Sequence, residues 1–241
     1  MSTALAQRTS QFIHGQSRRL VRNLYRGPER LGIAVQRYFS GAHQWERRIK
    51  REVSQWLPPQ RLAELDALEG TSILTECRLL AWIAVNSPDN GCIVEIGAWK
   101  GRSAAWLVEA AHQHKPPLSV TSIDPHQQGT WEHFQRTVAE QNLIARGLTV
   151  HRACSHEIGA NWNKPISLLW IDGCHDYEVV KQDILDFTPH VVPGGWVVFD
   201  DAAGGYFPGV PRAIDEEMSP QPDFSYVTTL RHVQIFRKNA A

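Results

Sequence analysis

The sequence predicts an α/β fold: a doubly wound, mostly parallel sheet with a C-terminal antiparallel β-hairpin and an N-terminal helical arm. Three observations carry this prediction. From Gly91 onward, short Val/Ile/Leu-rich runs alternate with amphipathic segments, the pattern of parallel strands covered by helices on both faces. The first of these runs passes directly into a glycine-containing loop, as strands do at the ligand edge of such sheets. The last two runs are separated by only a few residues, the spacing of a hairpin.

The elements follow in order. Residues 1–60 form the arm. Phe12, Ile13, Leu20, Val21, Leu24 and Tyr25 fall at approximate helical spacing between arginines, and a second basic, aromatic-bearing stretch runs from about Leu31 to Trp56 until Pro58-Pro59 ends it. Helices are predicted near Arg61–Leu68 and Ser72–Val85. In the domain proper, residues 61–241, strands are predicted at Cys92–Ile96, Leu118–Ile123, Leu148–Ala153, Ser167–Ile171 and Trp196–Phe199. Helices fall between them at Ser103–His112, Trp131–Asn142 and Tyr177–Phe187. Phe224–Thr229 and Val233–Arg237 form the hairpin. No internal repeat is present.

Composition narrows the function. With 241 residues, 42% of them hydrophobic, the chain can bury a sizeable core. No run reaches the roughly 18 apolar residues that a membrane span requires. A formal net charge of zero argues against a dedicated nucleic-acid binder. That zero is a sum of opposites: the arm carries eleven Lys/Arg against three acids, and the domain holds the compensating acidic surplus. The arm is expected to pack on its own domain or on a partner subunit, with a homo-oligomer as the expected assembly. The alternative is peripheral contact with an anionic membrane surface or a polyanion. Cys77, Cys92, Cys154 and Cys174 show neither CxxC nor zinc spacing, which favours a reducing, cytoplasmic compartment. The acid-free first 28 residues partly resemble an organellar transit peptide and lack the apolar stretch of a secretory signal.

Chemistry concentrates at the strand ends. After the first strand comes Glu95-Ile96-Gly97-Ala98-Trp99-Lys100-Gly101-Arg102-Ser103, which is neither the dinucleotide G-x-G-x-x-G nor a P-loop. Gly97 allows a sharp turn off the strand, Gly101 a close helix approach, and Glu95 can meet a cationic ligand group. Asp124 stands at the next strand end, placed to hold both ribose hydroxyls of a nucleoside. His126 follows and can contact the cofactor. Ala153-Cys154-Ser155 marks where an adenine would lie. Asp172 ends the fourth strand and Asp200-Asp201 the fifth. Carboxylates gathered on one rim repel one another, and a divalent cation with open positions, Mg²⁺ above all, is the usual compensation. His175, three residues beyond Asp172, is a candidate general base, with Asp176 a lesser one; the other histidines have no comparable context.

Taken together, Glu-Ile-Gly-Ala-Trp-Lys-Gly-Arg-Ser, Ser-Ile-Asp-Pro-His, Trp170-Ile171-Asp172-Gly173-Cys174-His175-Asp176-Tyr177 and Pro193-Gly194-Gly195-Trp196-Val197-Val198-Phe199-Asp200-Asp201 resemble class I S-adenosylmethionine-dependent methyltransferases. More narrowly they resemble the macrocin O-methyltransferase-like group, metal-dependent enzymes of sugar hydroxyls. The resemblance covers roughly residues 70–240 and not the arm. It implies a Rossmann-like domain binding S-adenosylmethionine through Glu95, Gly97, Trp99, Gly101, Ser103, Asp124, His126, Ser155 and Asp172. It further implies Mg²⁺ on Asp172, Asp200 and Asp201, and His175 as base. Trp99 replaces the glycine usual at the centre of the loop, an exchange familiar in the narrower group. The implied activity is O-methylation of a sugar or related polyol hydroxyl. A catechol-type phenolic acceptor and a non-catalytic S-adenosylmethionine-binding assembly subunit stay open as alternatives. The loop Ala202–Arg212, bearing Tyr206 and Phe207, is expected to border the acceptor pocket.

Overall fold

The computed structural model describes residues 44–203 and 205–240. The basic helix expected over Gln11–Tyr25 lies outside the described residues, with the rest of 1–43, Gly204 and Ala241.

Helix α1 covers residues 44–56, followed by α2 (Pro59–Asp66) and α3 (Leu74–Val85). The alternating portion is β1 (Cys92–Ile96), α4 (Arg102–Ala111), β2 (Val120–Ile123), α5 (Trp131–Glu140), β3 (Leu148–His151), α6 (Ser155–Gly159), β4 (Ile166–Ile171), α7 (Tyr177–Phe187) and β5 (Val191–Phe199). A short α8 (Gly209–Ala213) runs into one π-helical turn, Ile214–Met218. The hairpin is β6 (Phe224–Leu230) with β7 (Val233–Lys238).

The seven strands lie in the order β3-β2-β1-β4-β5-β7-β6. Strands β1 to β5 are parallel, and β7 runs antiparallel between β5 and β6. The chain winds outward from β1 in one direction and from β4 in the other, so a crevice opens between their carboxyl ends. Period-two alternation explains the two cores. On β4, Leu168 and Trp170 join α1 to α5 on one face, while Leu169 and Ile171 join α7 and α8 on the other. The later part of the arm belongs to the first core: Ile49, Val53 and Leu57 are buried there, and Trp45 meets Trp82 edge-on at 5.1 Å.

Several elements differ from the sequence expectation, some for local reasons. Helix α3 starts at Leu74 because the Glu76 carboxylate accepts the Ile73 N–H at 2.9 Å, making Ile73 the cap and leaving Ser72 outside. Strand β5 begins at Val191, because Pro193-Gly194-Gly195 bulges out of the ladder before Trp196 resumes pairing with Leu168. Helices α6 and α8 are five residues each, too short for a helical period to show in sequence.

Candidate active site

The loop leaving β1 is held by a single side chain. Asp124, at the end of β2, accepts the Ala98 and Trp99 N–H groups on Oδ2, both at 2.8 Å, and the His126 N–H on Oδ1 at 2.6 Å. These bonds fold the loop through left-handed backbone at Gly97 (φ 89°), Trp99 (φ 46°) and Gly101 (φ 91°). Trp99 bears strain there that glycine would not, and the Lys100 ammonium stands 4.4 Å over its ring. Glu95 is fully buried, with the Ser122 hydroxyl donating at 2.6 Å and Ser103 beside it. Burial outweighs both hydroxyls and pushes its carboxyl up to about 7. His126 is buried: its imidazole packs among Trp131 and Phe134, Nδ1 lies 3.0 Å from Thr130 Oγ1 and 3.6 Å from Asp124 Oδ1, and burial lowers its pKa. Ser155 opens α6 and is buried against Asp183, whose carboxyl burial raises to about 7.

Across the crevice, β4 and β5 supply the acidic rim. The Asp172 N–H donates to Ile96 O at 2.8 Å, and the Asp200 N–H to Ile171 O at 3.0 Å, so both residues continue the ladder as it ends. One oxygen or nitrogen from each of Asp172, His175 and Asp201 lies within 4.8 Å of the others. His175 Nε2 is 3.1 Å from Asp201 Oδ2, and its ring stacks on Phe207 with centroids 3.9 Å apart. Asp200 sits behind this group, 8% exposed, its Oδ1 accepting the Asp201 N–H at 2.8 Å. The structure thus groups His175 with two of the three acids expected to bind metal. Burial, then neighbouring carboxylates, raises the pKa of Asp172, and burial and Asp201 raise that of Asp200.

Loop and rim touch. A Cβ on Gly97 would stand 2.0 Å from Asp172 O and 2.8 Å from Gly173 Cα, so the first turn of the loop lies directly on the chain leaving β4.

Two further groups face the rim and carried no sequence signal. Glu76 is 4% exposed, and burial together with Asp200 pushes it up to about 7. It stands on an apolar helix face, where periodicity reports packing and not direction toward a strand end. His232, in the hairpin turn, was grouped with the histidines lacking context; the structure corrects this, placing its Nε2 3.2 Å from Glu76 Oε1.

Comparison with known proteins now bears on this arrangement. A family model described as a methyltransferase domain matches residues 94–202. Residues 94–202 are a methyltransferase domain, on the class I methyltransferase fold. Its span runs from β1 through Ala202 and so contains the loop, Asp124 and the whole acidic rim. Among solved structures, the O-methyltransferase NovP is similar over 68% of this chain and 79% of its own, with 17% identity and a TM-score of 0.58. CalS11, a TDP-rhamnose 3'-O-methyltransferase of calicheamicin biosynthesis, aligns over 78% and 84%, with 15% identity and a TM-score of 0.55. An O-methyltransferase from Bacillus cereus, in complex with SAH, aligns over 78% and 96%, with 15% identity and a TM-score of 0.56. No curated protein matches the chain. Among the described residues no helix is long and apolar enough to cross a membrane.

Proposed function

We propose that the protein transfers a methyl group from S-adenosylmethionine to a hydroxyl of a sugar, glycoside or related polyol, with a divalent cation such as Mg²⁺ held at the acidic rim. The observation that supports this is the Asp172–His175–Asp201 grouping, carried in part by the stretch of main chain, Asp172-Gly173, on which the Gly97 turn packs. S-adenosylmethionine fits the loop by chemistry. Asp124 and the loop backbone suit a ribose, and buried Glu95 suits the cationic amino group of a methionine moiety. Mg²⁺ fits the rim because buried like charges raise one another's pKa, and a cation relieves that repulsion. Asp172 and Asp201 would hold it, with Asp200 behind them. Bound there, a divalent cation lowers the pKa of a hydroxyl and fixes its direction.

The remaining chemistry belongs to the chain. Gly97 keeps the loop close against Asp172, so that methyl donor and acceptor meet in one crevice. His175 Nε2 lies 3.1 Å from Asp201 Oδ2, and in the Nε2–H tautomer that this carboxylate favours Nδ1 would receive the proton of the attacking hydroxyl. The Phe207 ring limits the rotation of that imidazole. One of the similar structures bears on the acceptor class: CalS11 is a TDP-rhamnose 3'-O-methyltransferase.

The test is methylation from labelled S-adenosylmethionine over a panel of glycosides and catechols, with and without EDTA. Turnover on glycosides, abolished by EDTA and restored by Mg²⁺, is expected. His175→Ala should lower kcat by about 100-fold or more. Turnover indifferent to EDTA removes the metal, and turnover on catechols alone removes the sugar acceptor.

A further inference from the structure

The rim has a second wall. His232 lies in the turn between β6 and β7, and its carbonyl accepts the Ala202 N–H at 2.8 Å, fixing the turn to the chain immediately after Asp201. From α3 on the other side comes Glu76. Its Oε2 is committed to the Ile73 N–H, which leaves Oε1 as the atom 3.2 Å from His232 Nε2. The two side chains differ in access: Glu76 is 4% exposed, whereas the His232 side chain is 44% exposed. Asp200 has both His175 and His232 as neighbours, and each imidazole has a carboxylate within 3.2 Å.

Capping α3 does not account for this pair, since the cap uses only Oε2. A carboxylate behind an imidazole fixes its orientation and tautomer, and the ring then presents its other nitrogen outward. Nε2 lies on the Glu76 side, and the Nε2–H tautomer is the one that pairs with an ionised Glu76 and leaves Nδ1 as a lone-pair acceptor.

We propose that His232, oriented by Glu76, is a specificity-determining residue that accepts a hydrogen bond from a second hydroxyl of the acceptor, one not being methylated. This rests on the polyol acceptor proposed above and adds the part of the site that recognises it. A bare Nδ1 selects an O–H and leaves an ether or a deoxy carbon unmatched, so acceptors lacking that hydroxyl, or already methylated there, bind poorly. Glu76 acts through His232 and is a positioning residue.

Two measurements on the full chain test it. First, long-range ¹H–¹⁵N correlation spectra report the tautomer of His232. The Nε2–H form is expected in the wild type and is lost in Glu76→Gln; an Nδ1–H form in the wild type overturns the proposal. Second, methyl α-rhamnopyranoside and its monodeoxy analogues serve as acceptors. His232→Ala should raise KM for the parent glycoside at least tenfold, with a smaller change in kcat and unchanged affinity for Mn²⁺ and S-adenosylhomocysteine. One deoxy analogue should show the same KM penalty in the wild type and no additional penalty in His232→Ala, and His232→Gln should recover part of the loss. Turnover with an unchanged KM in His232→Ala, or a loss of Mn²⁺ binding, overturns the subsite while leaving methyl transfer intact. No turnover on any glycoside overturns the polyol acceptor, and the subsite with it.

Discussion

The loop side of the crevice is finished by the chain itself, and the rim side is not. At Asp124 the single negative charge is met by three backbone N–H groups at 2.6 to 2.8 Å. At Asp172, Asp200 and Asp201 the charges face one another and Glu76, with the imidazoles of His175 and His232 beside them, and in the proposed function a cation compensates them. The same residue type therefore plays opposite energetic roles a few strands apart. An acid whose partners are built in stabilises the fold, and an acid gathered for a ligand strains it until the ligand arrives. The two sides join at Gly97, where backbone meets backbone with no room for a methyl group.

That junction gives the largest expected effect. Gly97→Ala forces a Cβ within 2.0 Å of Asp172 O and places alanine at φ +89°, with no flexible side chain to yield. The cost should be about 4 kcal/mol, measured by chemical denaturation together with calorimetry of S-adenosylhomocysteine binding. A variant that melts and binds like the wild type would separate the two sides and dissolve the comparison.

The opposite roles of the acids come next. Asp124→Ala strips the acceptor from three N–H groups and should destabilise the protein by about 3 kcal/mol, with roughly 100-fold weaker cofactor binding. Asp200→Asn removes one of the repelling charges without changing shape. In metal-free protein it should raise stability by about 1 kcal/mol while methyl transfer is lost. If both variants destabilise alike, the rim is a satisfied structural network and not a site awaiting a cation.

How much of this was legible in the sequence follows from the same contrast. Backbone devices leave fixed marks in sequence: Gly97, Gly101 and Asp124 were readable because a turn, a close approach and a strand-end acid each demand a residue type at a set spacing. Strands β1 to β5 and the closing hairpin were readable because burial on both faces writes continuous apolar runs. Convergence from distant elements leaves no such mark. Glu76 and His232 meet across more than 150 residues of sequence, and only the topology that inserts β7 beside β5 brings the hairpin turn to the rim. The surroundings of His126 were likewise not legible: it follows the ribose acid in sequence, and its imidazole packs among the aromatics of α5.

Glu95 sharpens the comparison from the loop side, as an acid that is buried without a countercharge. Its carboxyl is raised from 4.5 to about 7, so the folded state holds its proton more tightly than the unfolded chain does. Between those values the native protein binds more protons, and stability must fall as pH rises from 4.5 to 7, levelling off above. The group should account for about 3 kcal/mol of that fall, and Glu95→Gln should flatten the corresponding part of a stability-versus-pH curve. Glu76 titrates over the same window. Mg²⁺ should restore stability lost through the rim acids while leaving the Glu95 contribution in place. A slope of opposite sign would mean that Glu95 is paired in solution.

The smallest effect concerns the Ala202–Arg212 segment, which tests whether the rim side is a separate unit. Its main chain is wedged against the His175 loop: a Cβ on Gly209 would stand 2.4 Å from His175 O and 2.6 Å from Tyr177 N. Arg212 lies 3.9 Å over the Tyr177 ring, and Tyr177 donates to Glu216 at 2.6 Å. The segment therefore stays docked without Phe207, whose ring is 39% exposed and does one thing, stacking on His175. Phe207→Ala should free the imidazole to rotate and lower kcat about fivefold, the scale of one aromatic contact. Affinity for S-adenosylhomocysteine should not change, and Phe207→Tyr should restore the rate. Weakened cofactor binding in Phe207→Ala would show the segment reaching the loop side, and the boundary between the two halves of the crevice would have to move to include it.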